Sequence, residues 1–129
     1  PFLEDRAWFY PYPLNKELLQ KAAAVLLEVK DFTSFSKRNT QVKTFLCQLT
    51  ESQWEEEQGC LIYRVKGNRF LRGMVRALVS TMLQVGREKI TLGEFEDIIA
   101  AKDCTRASFV APPHGLFLVE VGFLPSKTQ

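Results

Sequence analysis

Residues 58–86 read QGCLIYRVKGNRFLRGMVRALVSTMLQVG, and this stretch decides the fold. Its first part, residues 58–66, places Leu61, Tyr63 and Val65 on one face, and this period of two predicts a strand. The rest follows a helical period and predicts a helix from Asn68, its N-cap, to about residue 85. Gly86 then ends the helix, so the stretch supplies one strand and the longest predicted helix.

Elements on both sides of this stretch complete the pattern. Residues 14–29 and 91–102 predict two further helices, the second with a capping box between Thr91 and Glu94. Residues 42–54 predict a strand that an acidic link, residues 55–57, joins to the strand at 58–66 as a hairpin. Residues 116–124 predict the last strand. The order helix, strand, strand, helix, helix, strand predicts one α+β domain over residues 1–129, an antiparallel sheet with helices packed on one face.

Composition excludes several classes of protein. The 129 residues are 46% hydrophobic and 25% charged, which excludes a disordered or collagen-like chain. Three cysteines without CxxC spacing and a single histidine give no zinc site, so we expect reduced thiols and no metal. No apolar run approaches the roughly 20 residues that span a bilayer, so no membrane contact is expected. Cys47 and Cys60 fall in apolar strand patterns and are predicted to lie in the core.

Charge is segregated along the chain although its net value is only +2. No acidic residue interrupts the basic residues between Arg64 and Arg87, and acids collect at residues 51–57 and 94–97. Such a distribution attracts a polyanion locally. Chance clustering on a solvated surface explains the same pattern, and charge alone leaves both readings open.

The predicted helix at 68–85 carries a polar stripe beside a wide apolar arc. On a helical wheel the stripe contains Arg69, Arg72, Gly73, Arg76 and Ser80. Arg69 and Arg72 are either an exposed basic face or ligands of an anion. Arg76 is expected to be a buried functional charge, which requires a carboxylate or phosphate partner from elsewhere.

Four segments of the chain, in order, resemble motifs of the TruA-type tRNA pseudouridine synthases. Residues 67–76, GNRFLRGMVR, resemble the family's FLxxMVR helix, and residues 82–86, MLQVG, are similar to the end of that helix. Residues 31–35, DFTSF, resemble its HDFxSF loop, with Lys30 where histidine is usual. Residues 111–118, APPHGLFL, resemble its APxxGLYL segment, with Phe117 for tyrosine. The resemblance covers essentially the whole chain.

The resemblance implies an RNA-modifying isomerase that acts without a cofactor or metal. Enzymes of this family flip a uridine out of the tRNA anticodon stem-loop, detach uracil through a nucleophilic aspartate, and rejoin the base through carbon. The family's Arg-Thr-Asp-x-Gly-Val-His motif has no counterpart here. The chain is therefore expected to be the C-terminal half of the enzyme, inactive alone, and Pro1 as first residue favours an excised segment of a longer protein.

Residue roles follow from the same resemblance. Arg76 would pair with the missing aspartate, and Leu116 would form part of the apolar wall against the base. Phosphate contacts would come from Arg69, Arg72, Lys37 and Arg38. The implied partners are the tRNA anticodon stem-loop, the N-terminal half of the same protein and a second copy in a homodimer, in the cytoplasm.

Two alternative functions remain open at this stage. The basic stretch between Arg64 and Arg87 is equally typical of an RNA-binding module without catalysis. The sheet face that carries Leu116 and Leu118 is apolar enough for a dimerisation module. Among the remaining candidates, Phe32 and Phe35 are expected to anchor a loop in the core, and His114 is expected to be a loop residue.

Overall fold

The computed structural model describes residues 3–9, 14–37, 44–57, 60–107 and 117–123, with the backbone alone for 3–9, 57, 60 and 117–123. In chain order its elements are β1 (Leu3–Phe9), α1 (Lys16–Val25), β2 (Leu49–Glu57), β3 (Cys60–Gly67), α2 (Met74–Gly86), α3 (Leu92–Ala101) and β4 (Phe117–Phe123). The four strands form one antiparallel sheet in the order β2-β3-β1-β4. The predicted α+β class is confirmed.

The core lies between one face of the sheet and the helices. Leu61, Tyr63 and Val65 alternate along β3 and are buried together, as their spacing predicts. Leu19 of α1, Leu78 of α2 and Phe95 of α3 belong to the same cluster. Residues from every described helix therefore cover this face, which removes their apolar surface from water.

Two predictions about the core are confirmed. Phe32, the N-cap of the 3-10 turn Thr33–Phe35, and Phe35, its last residue, are fully buried, and the Phe35 ring centroid lies 6.3 Å from that of Phe95. Cys47 is 2% exposed and free, as expected for a small core residue. The side chain of Cys60 lies outside the described residues.

The sheet differs from the sequence prediction in three places. Strand β1 was not predicted, although it lies between β3 and β4 and pairs with both. The predicted acidic link at residues 55–57 is wrong, because these residues belong to β2 and pair with β3. The same strand begins at Leu49 rather than at residue 42; the preceding stretch contributes an isolated bridge between Leu46 and Asp31.

The start of α2 is the largest departure from the prediction. The helix begins at Met74, with Gly73 as its N-cap at a φ of 74°. Asn68 is not the N-cap; its side-chain oxygen accepts a hydrogen bond from the Gln48 backbone N–H at 2.9 Å. Because residues 68–73 are not helical, a wheel drawn through them misplaces Arg69 and Arg72. The predicted end at Gly86 is confirmed.

The other two helices begin where side-chain caps were available. Asn15 caps α1, which passes at Val25 into a 3-10 turn over Leu26–Glu28. Thr91 caps α3, and the predicted capping box with Glu94 is formed by hydrogen bonds of 3.0 and 2.8 Å. Among the described residues, no helix is long and apolar enough to cross a membrane.

Candidate functional site

The N-terminal end of α2 joins two segments that are distant in sequence. The Lys37 backbone N–H donates to the Arg72 carbonyl at 3.1 Å, which ties the loop after Phe35 to the helix start. The Lys37 side chain lies across Gly73, so that a Cβ at Gly73 would stand 2.8 Å from Lys37 Cγ. The left-handed backbone therefore favours glycine here, and a side chain at this position would also displace the exposed Lys37.

Arg76 occupies the first turn of α2, three residues after the Gly73 N-cap. Its expected burial is wrong, because the residue is exposed. The first turn of α2 buries Met74 and Val75 and leaves Arg76 on the solvent side. Ser80, one turn further along the predicted polar stripe, is instead buried at 3% exposure.

The two other arginines of the motif lie in the loop before α2 and differ in their contacts. Arg72 is exposed beside Lys37. Arg69 is half-buried, and its Nη1 donates to the carbonyl oxygens of Thr44 and Leu46 at 3.1 and 3.3 Å. Arg69 thus holds the segment that precedes β2, while Lys37, Arg72 and Arg76 lie around the start of α2.

The first two cations of the basic stretch are paired within the sheet. Arg64 Nη2 lies 3.2 Å from Glu55 Oε1, and Lys66 Nζ lies 3.3 Å from Glu51 Oε1, both across the β2–β3 pair. Opposite charges on facing strands stabilise the pairing and reduce the field that reaches solvent. The surplus positive charge of this part of the chain therefore begins at Arg69.

The loop that carries Lys37 is anchored at its start by Asp31. Asp31 accepts from the Thr33 backbone N–H and hydroxyl at 3.0 and 2.5 Å, and lies 3.7 Å from Lys102 Nζ. Burial alone would raise the pKa of Asp31, but the Thr33 hydrogen bonds and the Lys102 charge hold it below its ordinary value. The carboxylate is therefore ionised at neutral pH and fixes the turn.

Ser34 anchors the same loop to the end of α3. Its hydroxyl is buried, donates to the Ile98 carbonyl at 2.6 Å and accepts from the Asp103 backbone N–H at 3.0 Å. This pattern satisfies two backbone groups at a helix C-terminus. The position of Lys37 beside Gly73 therefore depends on contacts that extend into α3.

Two predicted site residues, Arg38 and Leu116, lie outside the described residues, as does His114. The backbone of β4 begins one residue after Leu116 and pairs with β1. In the described part of the chain no group of three or more histidine, cysteine or acidic residues is arranged to hold a metal ion.

Residues 22–124 match the model of a protein family described as tRNA pseudouridine synthase. Because the match covers most of the chain, the chain belongs to this family.

Individual relatives agree with the family match. The chain is 41% identical over 123 residues to the tRNA pseudouridine synthase A of Parabacteroides distasonis and 42% identical over 123 residues to that of Porphyromonas gingivalis. It is 37% identical over 120 residues to that of Bacillus pumilus. These alignments cover 95%, 94% and 93% of the chain but 49% of each relative. The chain spans about half the length of the relatives it matches.

Sequence reasoning missed the role of Gly73 and the contact with Lys37. A signal was present, since glycine is unfavourable in the interior of a helix and common where a positive φ is needed. The apolar spacing of Phe70 and Leu71 masked it, because both residues pack against the core from a non-helical segment. The Ser34 anchor had no signal in sequence, because its partners lie 64 and 69 residues away.

Proposed function

We propose that this chain is the C-terminal lobe of a tRNA pseudouridine synthase that converts uridine to pseudouridine in the anticodon stem-loop. The observation that carries the proposal is the family match over residues 22–124, together with relatives named tRNA pseudouridine synthase A. The coverage of half of each relative supports a lobe rather than the complete enzyme. We further propose that the complete protein is a cytoplasmic homodimer, as the family resemblance implies.

The proposed catalytic contribution of this lobe is Arg76. A cation in the first turn of a helix faces the positive end of the helix dipole, an arrangement that a neighbouring anion stabilises. The exposure of Arg76 on the surface of this lobe is compatible with a contact to a carboxylate from the other half of the protein. Such a pair lowers the pKa of the carboxylate and fixes its rotamer, and both effects favour an ionised nucleophile.

The remaining site residues are proposed to hold the RNA. Lys37 and Arg72 lie side by side at the start of α2, where two exposed cations and the helix dipole together favour a phosphate. Arg69 and Arg38 are proposed as further phosphate contacts. For Arg69 its two bonds to backbone carbonyls leave guanidinium donors available. Leu116 is proposed as the apolar surface against the flipped base.

The test compares this chain with the full-length protein on unmodified tRNA. We expect pseudouridine to form with the full-length protein and not with this chain, because the aspartate nucleophile is proposed to reside in the other half. Release of tritium from uridine labelled at carbon 5 measures the reaction. Turnover by this chain alone would contradict the division into lobes.

The binding-module alternative gives a different pattern in the same experiment. It predicts no turnover by either protein, together with binding of anticodon stem-loop RNA that weakens steeply as salt concentration rises. Because Arg64 and Lys66 are paired with glutamates, the cations that the basic stretch offers for such binding begin at Arg69. Turnover by the full-length protein excludes this alternative.

A further inference from the structure

Strand β2 forms one edge of the four-stranded sheet, with β3 on its inner side. The backbone of Trp54, in the middle of β2, points away from β3 and meets the side chain of Gln20 from α1. The Trp54 N–H donates to Gln20 Oε1 at 3.1 Å, and Gln20 Nε2 donates to the Trp54 carbonyl at 2.5 Å. The Gln20 carboxamide therefore makes the two-way exchange that a residue of a neighbouring antiparallel strand would make.

The position of Trp54 makes this capping geometrically well defined. Trp54 is 4% exposed and its ring packs at a tilt against Tyr63, with ring centroids 5.2 Å apart, so this residue is held firmly in the core. One helical turn before Gln20, Lys16 places its ammonium 2.6 Å from Glu56. Two side chains of α1 thus cross the same edge, one at the centre of β2 and one near its end.

The partner that fits this edge is the β2 strand of a second copy. Backbone groups alternate in direction along a strand, so Ser52 and Glu56 face outward together with Trp54. An antiparallel pair of two such edges is self-complementary, since the same donors and acceptors meet on both sides of a two-fold axis. Exposed edges of this kind promote association unless they are blocked.

Charge opposes the same association. An antiparallel β2–β2 pair centred on residue 53 would place Glu51 opposite Glu55, and a pair centred on residue 55 would place Glu55 opposite its own copy. A pair centred on residue 54 would oppose Glu51 and Glu57. Each of these three registers brings glutamates together, which destabilises the pair.

We propose that Gln20 is an edge guard: it occupies the backbone groups of Trp54 and, together with the glutamates of β2, prevents the β2 strand of a second copy from extending the sheet. The guard is independent of the proposed enzymatic function, since it depends only on contacts between α1 and β2.

The first test measures the contact itself by amide hydrogen exchange in the full-length protein. Replacing Gln20 by alanine should make the Trp54 amide exchange about tenfold faster, because its acceptor is lost. The Tyr63 amide, on the inner strand, should be unchanged. The matched control is Lys21→Ala, an exposed neighbour on α1, which should leave both rates unchanged. Equal rates at Trp54 in the Gln20→Ala variant and its parent would overturn the proposal.

The second test measures association. A variant that combines Gln20→Ala with Glu51→Gln and Glu55→Gln lacks both barriers, and its mass by light scattering should rise to at least twice that of the parent as concentration increases. The control combines Lys21→Ala with the same two glutamine substitutions and should keep the parent mass, since Gln20 still blocks the edge. If the variant with Gln20→Ala, Glu51→Gln and Glu55→Gln stays at the parent mass, the proposal is overturned.

Discussion

Replacement of Gly73 by alanine tests the geometry that positions the candidate site. Gly73 has a φ of 74°, a conformation that costs a residue with a Cβ about 1–2 kcal/mol. Alanine recovers about 0.4–1 kcal/mol of this by restricting the unfolded chain. The new Cβ would also stand 2.8 Å from Lys37 Cγ and 3.1 Å from Cε, and the exposed lysine must move to relieve the contact. We expect a net loss of about 1 kcal/mol in the free energy of unfolding, measured by urea denaturation of the full-length protein.

Gly93→Ala is the matched control for this substitution. Gly93 lies in the first turn of α3, and a Cβ there would meet only Thr91 Oγ1, at 3.7 Å. Alanine is favoured over glycine in a helix by up to about 1 kcal/mol, so this variant should be at least as stable as the parent. In a Lys37→Ala background the Gly73→Ala penalty should shrink, because the crowded atoms are gone. A Gly73→Ala variant as stable as its parent would refute the assignment of Gly73 as a left-handed N-cap.

Two further predictions concern the anchors of the Lys37 loop. Ser34→Ala should lower the free energy of unfolding by about 1–3 kcal/mol, because both buried backbone partners of its hydroxyl lose a hydrogen bond. Ser36→Ala should cost less, since the Thr33 carbonyl keeps the bond from the Ser36 backbone N–H, and equal losses in a denaturation series would contradict this account. Asp31 has a lowered pKa in the folded protein, so its stabilising contribution is complete at neutral pH and is lost as the pH falls through that pKa. The stability difference between the parent and Asp31→Asn should therefore be largest near pH 7 and should shrink on acidification below about pH 5, and a difference that is constant with pH would contradict the ionised state.

Local signals in the sequence predicted the parts of the fold that local physics determines. The period-two spacing of β3 predicted the burial of Leu61, Tyr63 and Val65, although Ile62 on the opposite face is buried as well. The capping box at Thr91 located the start of α3 to within a residue. In the same way, Gly86 marked the end of α2. These features depend on a few neighbouring residues, so their signal survives without tertiary context.

The failures occurred where tertiary contacts override the local pattern. Residues 55–57 look like a solvated acidic loop, yet Glu55 lies in β2 opposite Ile62, with the diagonal Arg64 3.2 Å from its carboxylate. The helix prediction ran through Gly73 because Phe70 is spaced like a helical residue although it packs from a loop. Strand β1 carries adjacent charges that conceal its pairing with two neighbours.

The candidate site was predicted in part. The motif identified Arg76 as the functional arginine of α2, and this assignment stays a prediction. Its environment was misjudged, since it is exposed near the helix start rather than buried in a stripe. Lys37 and Arg72 were proposed separately as phosphate ligands, and the structure brings their backbones together through a loop contact that no spacing in the sequence shows.

The central claim, that this lobe supplies the arginine which pairs with the catalytic aspartate, is tested most directly by Arg76→Ala in the full-length protein. Loss of one partner of a charged pair costs about 2–5 kcal/mol, so single-turnover pseudouridine formation should slow by about 30-fold or more while tRNA affinity changes little. Arg87→Ala, at the far end of α2 and about 16 Å away along the helix axis, is the matched control and should retain the parent rate. A near-normal rate in Arg76→Ala, or an equal loss in both variants, would contradict the claim.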